Sequence, residues 1–298
     1  MKLHHFRDVV AIAEQGSLRA AARHLHVAQP TLTRSVAELE RELGAPLFDR
    51  RKRGMIVTAI GQSFVERARA ILNEVRRASE EVQQLIDKGT GTVVVGLSIA
   101  PHLAMLPDAL PPFRKRYPKV QLHIIEGFYP TLEGGLRDGS LDFYVGPKPE
   151  SALPDDLMLE ELFTNTRTIL CRKGHPLSRA RSLSELTGAE WVTTSITLNA
   201  EEELNRPFEE EGLPLPRLMM RTQSALSLIV SLTCTDLLAM APIQWMSYLP
   251  TADSLGTIRI KEGLPAPTIT LIRRSQTPLT PAALYFADLM RRSAAKFG

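Results

Sequence analysis

The sequence predicts an α/β protein with an α-helical amino-terminal head, a long linker helix and a two-lobed α/β region behind them. Three observations predict this. The first 62 residues hold two short helices around a tight turn, followed by a basic hairpin. From about 59 to 88 no proline interrupts an apolar repeat of 3.5 residues. Beyond Gly89-Thr90-Gly91, apolar β runs alternate with helical stretches to the end. A chain of 298 residues is long enough for two or three domains and a sizeable core.

The head, residues 1–58, reads as a winged helix-turn-helix. Ser17 to Leu25 is a short alanine-rich helix that Ser17 can cap. His26, Val27 and Ala28 make the turn. Pro30 suits the first position of a second helix, where its fixed φ is already helical. That helix runs to about Leu43 and ends at Gly44, a left-handed cap. Leu32, Val36, Leu39 and Leu43 recur on one face at helical spacing. The opposite side then carries Pro30, Thr31, Arg34, Ser35 and Glu38, with Thr33 on the flank and Gln29 at the tip. Short hydroxyl side chains, a glutamine and an arginine at a helix start suit entry into a DNA major groove. There arginine forks onto guanine, glutamine pairs with adenine and threonine methyls touch thymine.

Arg50-Arg51-Lys52-Arg53 then Gly54 form a basic hairpin tip before the strand Met55-Ile56-Val57. Four cations on one loop repel one another unless a polyanion faces them, and a basic run directly after a helix-turn-helix reads as a wing. Charge is uneven along the chain. Residues 1–62 carry 10 Lys/Arg against 6 Asp/Glu, whereas the remainder is close to neutral. A basic head on a neutral body suits DNA contact better than membrane adsorption.

The linker, 59–88, places Phe64, Ala68, Ile71, Val75, Ala78, Val82 and Leu85 at alternating spacings of four and three. A 3.5-residue repeat held for three heptads asks for a partner helix, and predicts a homodimer through this seam. Arg67, Glu74 and Glu81 flank the stripe. Two heads joined this way could read a site of two-fold symmetry.

In 89–298 the strand readings are Thr92–Leu97, Val120–Ile125, Leu141–Val145, Thr168–Cys171, Trp191–Thr193, Leu237–Ala239, Thr257–Ile260 and Thr268–Arg273. Helices are read at about Ala104–Tyr117, Leu132–Arg137, Leu183–Leu186, Ala200–Gly212, Ala225–Leu232 and Pro281–Ala295, with a turn at Ser98–Pro101. Regular alternation of this kind argues for parallel sheets. The triplets Glu201-Glu202-Glu203 and Glu209-Glu210-Glu211 read as a solvated acidic surface. His175 before Pro176 reads as structural.

Several classes are excluded on the residues. No phosphate loop, dinucleotide fingerprint, paired metal histidines or Gly-x-Ser-x-Gly elbow is present, so neither catalysis, a metal nor a cofactor is expected. No apolar run approaches the ~20 residues that cross a bilayer, and the first 23 residues mix charges throughout. Cys171 and Cys234 fit no ligand spacing and read as reduced thiols, in keeping with a cytoplasmic location.

The head resembles the LysR-type transcriptional regulators. The matching residues are Phe6, Gly16-Ser17, Ala20-Ala21, Leu25, Gln29-Pro30, Leu39-Glu40, Leu43-Gly44, Leu47-Phe48, Arg50, Arg53-Gly54, and Thr58 with Gly61. The chain departs from the pattern at Ala28, where the family usually has serine. Carried over by position, Gln29, Pro30, Thr31, Thr33 and Arg34 are the implied groove contacts, with Arg50 and Arg53 on the wing. Downstream, Leu136-Arg137-Asp138-Gly139-Ser140-Leu141-Asp142 and Gly174-His175-Pro176-Leu177 resemble the family's effector domain, itself similar to periplasmic solute-binding proteins.

The resemblance implies two lobes, about 91–162 with 267–298 and 163–266, joined by crossovers near 161–166 and 263–268. A ligand cleft is expected between them, outside the carboxyl ends of strands. In the first lobe Ser98, Ile99, His102, Phe128, Tyr129, Thr131 and Pro147 meet that condition; Thr193, Thr194, Ser195 and Pro242 meet it in the second. Phe128, Tyr129 and Phe163 could supply aromatic contact. Hydroxyls and helix starts favour a small organic anion, a carboxylate or sulfonate. The expected regulator is ligand-responsive and binds double-stranded DNA bearing an imperfect palindrome. It is implied to be a homotetramer built from dimers, with RNA polymerase a further candidate partner.

Overall fold

A computed structural model describes residues 1–51, 54–87, 90–194, 200–222, 224–247, 254–264 and 266–297. The head is α1 (Leu3–Gln15), α2 (Leu18–His24) and α3 (Gln29–Leu43), followed by the antiparallel hairpin β1 (Phe48–Arg51) and β2 (Gly54–Val57). Ser17 caps α2 by accepting the Ala20 N–H at 3.2 Å. The turn runs through His26 at φ 55°, the single non-glycine positive φ among the described residues. Gly44 ends α3 in the left-handed conformation at φ 70°.

Val9, Ile12, Ala21, Leu32, Val36, Leu39, Leu47 and Phe48 form the head's core. Two readings of α3 need correction. Leu43 is exposed, because the helix's last turn runs past the core. Ser35 is buried, not outward: its hydroxyl donates to the Asp8 carboxylate of α1 at 2.6 Å. A polar side chain can face inward where a neighbouring helix offers it a partner.

The linker helix α4 (Ala59–Asp87) spans 29 residues, about 43 Å at 1.5 Å per residue. Its first turns lie against α1, with Val65 and Ala68 buried and Phe64 stacked at 5.8 Å on Phe6. Beyond that point Ile71, Val75, Val82, Leu85 and Ile86 are exposed. Its other face rests on the first lobe.

The first lobe is one sheet in the order β4-β3-β5-β12-β6. Its strands are β3 (Thr92–Leu97), β4 (Gln121–Glu126), β5 (Phe143–Pro147), β6 (Leu157–Phe163) and β12 (Ile269–Arg274). Helices α5 (Ile99–Ala104), α6 (Leu106–Arg116), α7 (Tyr129–Asp138) and α10 (Pro281–Ala294) complete it. Phe113, Phe143 and Phe286 sit at the centre of its core. The second lobe joins β10-β7-β11 to the pair β8-β9 through a Trp191–Leu238 bridge. Its strands are β7 (Arg167–Arg172), β8 (Glu190–Thr194), β9 (Arg217–Thr222), β10 (Ala239–Pro242) and β11 (Leu255–Ile258), with helices α8 (Ala200–Glu210) and α9 (Ala225–Cys234).

The sheets are mixed rather than parallel. Strands β3, β4 and β5 run parallel, as do β8 and β9, but β12 is antiparallel to β5 and β6, and β7 to β10 and β11. The antiparallel strands are those that follow the two crossings between lobes, where the chain re-enters a sheet without a crossover helix. The helix expected at about Ala104–Tyr117 is α6, but the stretch read as a turn at Ser98–Pro101 opens a separate short helix, α5, directly after Ser98. Strands β6 and β9 are additional to the sequence reading.

Candidate DNA-reading helix and interlobe cleft

In the head, Gln29, Pro30, Thr31 and Arg34 are exposed together at the start of α3, and Thr33 is half-buried with its hydroxyl on the Gln29 carbonyl at 3.0 Å. They make one polar tip with no lobe packed over it. Ala28 is the N-cap of α3, and no side chain caps that end. The Ala28 carbonyl instead takes the Thr31 and Leu32 N–H groups at 3.0 and 3.3 Å, and Pro30 has no N–H to satisfy. Arg53 lies outside the described residues, and so does the Arg50 side chain, whose backbone is in β1.

The hairpin is fixed to the helices by close backbone approaches. The Met55 N–H donates to the Gly16 carbonyl at 2.9 Å. Gly54, at φ +136°, lies so near that a Cβ there would sit 2.5 Å from the same oxygen. Glu40 of α3 accepts the Leu47 and Phe48 N–H groups at 2.7 and 3.2 Å. Thr58 donates to the Pro46 carbonyl at 2.8 Å and accepts the Gly61 N–H at 2.9 Å, opening α4. A Cβ on Gly61 would fall 2.0 Å from the Leu47 carbonyl oxygen. These contacts give physical reasons for Glu40, Gly54, Thr58 and Gly61 in fixing the wing to the helices, while Gly16 is required by its left-handed φ of 66° at the end of α1.

His5 is buried beside this surface and its pKa is lowered, chiefly by burial and then by His4 and the terminal amine. Glu38 and Glu42 pull the other way, Glu38 lying 4.0 Å from His5 Nε2.

Between the lobes lies a cleft of about 620 Å³, within the range of small-molecule sites. Ser98, Ile99, Phe128, Tyr129, Thr131 and Pro147 line its first-lobe wall, and Thr193 and Pro242 its second-lobe wall. Ser98 is buried just ahead of α5, and Tyr129 is the first residue of α7. Tyr144, Asn165, Arg167, Glu203, Trp245 and Ile269 also line it; the sequence marks none of these as a cleft residue. Ile99, from the first lobe, lies in one apolar cluster with Leu170, Val192 and Trp245 of the second. Burial and the Glu133 carboxylate push the Tyr129 hydroxyl up to about 12, and burial raises Tyr144 further, so both phenols remain protonated donors near neutrality.

Two expected cleft residues lie elsewhere. Phe163 ends β6 inside the first lobe's core, 5.3 Å from the Phe297 ring, so the first lobe extends through it. His102 is on the turn of α5 beyond the cleft, its Nδ1 3.2 Å from the Ser98 carbonyl. Ser195 and the Thr194 side chain lie outside the described residues. Glu203 is not part of a solvated acidic face: it pairs with the Arg167 guanidinium on the cleft wall. His175 is buried between the Asp236 carbonyl at 3.0 Å and the Leu177 N–H at 3.0 Å, a structural role.

The linker meets the first lobe through buried polar contacts. Arg77 of α4 pairs with Asp142 at 2.8 Å and donates to the Gly139 and Leu141 carbonyls at 3.2 and 3.1 Å. Asn73 donates to the Asp138 carbonyl at 2.8 Å, and Gln84 accepts the Ala282 N–H at 2.9 Å. Burial pushes the Asp142 carboxyl up and the Arg77 guanidinium down, each opposed by the partner's charge. The segment 136–142 thus anchors the linker.

Among the described residues no cluster of three or more His, Cys, Asp or Glu could hold a metal, and no helix is long and apolar enough to cross a membrane.

Residues 3–62 match the model of the bacterial regulatory helix-turn-helix protein, lysR family, and residues 87–295 match that of the LysR substrate binding domain. Similar curated proteins include the HTH-type transcriptional regulator GbpR of Rhizobium radiobacter, 30% identical over 80% of this chain and 80% of that protein. Another is the SDS degradation transcriptional activation protein of a Pseudomonas species, 30% identical over 94% of this chain and 92% of its own length. Among solved structures, CbnR, a LysR family transcriptional regulator, has the same fold (TM-score 0.69, 21% identity, 99% of each chain). CbnR complexed with its target DNA compares equally well (TM-score 0.70, 21% identity, 98% of this chain and 100% of that one). A helix-turn-helix head with its polar tip uncovered, followed by a substrate-binding domain around an open cleft, makes this chain a transcriptional regulator of the LysR family.

Proposed function

We propose that the chain is a ligand-responsive, sequence-specific regulator whose effector is a small organic anion, carboxylate or sulfonate, held between the two lobes. One observation carries this reading: the cleft is walled mainly by apolar side chains and carries a few polar groups, Ser98, Tyr144, Asn165 and Arg167, that can fix a polar end. Effector binding moves the second lobe relative to the first. Because the linker is held on the first lobe through Arg77 and Asp142, that movement alters how paired heads engage and bend DNA. Only a ligand with different affinity for the two arrangements can do this.

The apolar stripe of Ile71, Val75, Val82, Leu85 and Ile86 supports a homodimer through α4, and an imperfect palindrome as its DNA site. A tetramer of two such dimers, RNA polymerase as a further partner and a cytoplasmic location belong to the same proposal. A thermal-shift screen of small organic acids against neutral analogues tests it. A live site gains stability with ligand excess. A flat response to every acid would favour a constitutive DNA binder instead.

A further inference from the structure

Arg167 opens β7 just after the chain crosses from the first lobe, and its N–H donates to the Leu264 carbonyl of the returning crossover at 3.1 Å. Its guanidinium is paired with Glu203, three residues into α8. The Arg167 side chain is only 14% exposed, whereas that of Glu203 is 31% exposed. The same cleft is lined by Leu204, Leu228, Met240 and Trp245, with Asn165 and Thr193 among its polar groups. The other cleft cation, Lys148, stands half-exposed and is held by Glu161 at 2.7 Å.

We propose that Glu203 is a built-in competitor for the effector. It holds the anion position on Arg167 in the ligand-free protein, and the effector is an apolar monoanion whose charged group takes that position and turns Glu203 out to water. This rests on the cleft being the effector site.

The exchange is anion for anion, so the guanidinium keeps an anionic partner throughout and no net charge is buried or exposed. Carboxylates and sulfonates both match the guanidinium fork. Glu203 is free to leave because it is nearer solvent than its partner and lies in the first turn of a helix, where the positive end of the dipole favours a carboxylate. A neutral molecule of the same shape has nothing to exchange. The pair therefore selects for charge, while the apolar wall supplies affinity.

The test uses two probes that differ in one group: 8-anilinonaphthalene-1-sulfonate and neutral N-phenyl-1-naphthylamine. The chain has two tryptophans, and Trp191→Phe leaves Trp245 on the cleft wall as sole donor for energy transfer to bound probe. In that full-length background Glu203→Gln is expected to tighten the sulfonate about fivefold, the scale of a part-exposed ion pair, and to leave the neutral probe unchanged. Arg167→Gln is expected to weaken the sulfonate at least tenfold, again sparing the neutral probe. Unchanged or weaker sulfonate binding in Glu203→Gln, or equal shifts for both probes, overturns the competitor. Thr193→Phe, which fills the cleft, separates the two levels. Loss of transfer from both probes upholds the cleft as the site; unaltered transfer removes the site and the competitor together.

Discussion

Arg77 and Asp142, 65 positions apart, form an ion pair 2.8 Å long with both side chains almost fully enclosed between the linker helix and the first lobe. The Asp142 carboxylate also accepts the Val94 N–H at 2.8 Å, so the pair ties α4 to β3, an inner strand of the lobe's sheet. Removing one partner leaves a buried charge. Arg77→Met is expected to destabilise the linker–lobe unit by about 3–5 kcal/mol, whereas Arg77→Met with Asp142→Leu should recover much of it. Urea denaturation of the full-length variants measures this. A single variant as stable as the parent would show that the pair does not hold the joint.

Ala28 stands at the N-cap of α3 with φ −70° and ψ 135°; its carbonyl takes the Thr31 N–H at 3.0 Å, but it offers no side-chain acceptor. Ala28→Ser supplies one in a conformation serine adopts readily. We expect about 1 kcal/mol of added head stability, seen as a higher midpoint in thermal unfolding of the head. No gain would mean that the Ala28 carbonyl already satisfies that end of the helix.

The exposed half of the linker stripe centres on Val75 and Val82, about half-exposed in the single chain. Val82→Asp places a charge in the proposed helix pair and is expected to shift sedimentation toward monomer at micromolar concentration. A variant that sediments as the parent does would move the dimer seam elsewhere.

His5 fixes a pH dependence whose sign follows from its burial. Its folded pKa lies below the ordinary 6.5, so the unfolded chain binds the proton more readily. Stability from this group is complete above pH 6.5 and is lost as pH falls through the lower folded value. Head unfolding followed from pH 7.5 to 5 should steepen below 6.5, and His5→Gln should flatten that part of the profile. An identical profile in the variant would assign the dependence to another histidine.

The fold was legible where the signal is periodic. Leu32, Val36 and Leu39 on the inward face of α3 and the extent of α4 follow from apolar spacing, because a long helix must present a repeating stripe. What stayed hidden depends on partners distant in sequence. Ser35 reads as outward by polarity and is inward because Asp8 meets it. Glu203 reads as one of a solvated triplet until Arg167 is brought beside it. Phe163 reads as a cleft aromatic, yet it packs in the first lobe's core with its ring tilted against Phe297. Strand β6 escaped notice because Glu160 and Glu161 break its apolar pattern, their carboxylates being taken up by Arg291 and Lys148.

The most direct measurement is a salt-controlled gel-retardation titration of the full-length protein and Arg34→Ala on the DNA upstream of its own coding region and on random DNA. Arg34 is exposed at the tip of α3. If it reads a base edge, the variant loses about 1–3 kcal/mol on the specific site and little on random DNA. Equal affinity of the two proteins for the specific site would contradict a DNA-reading role for that tip.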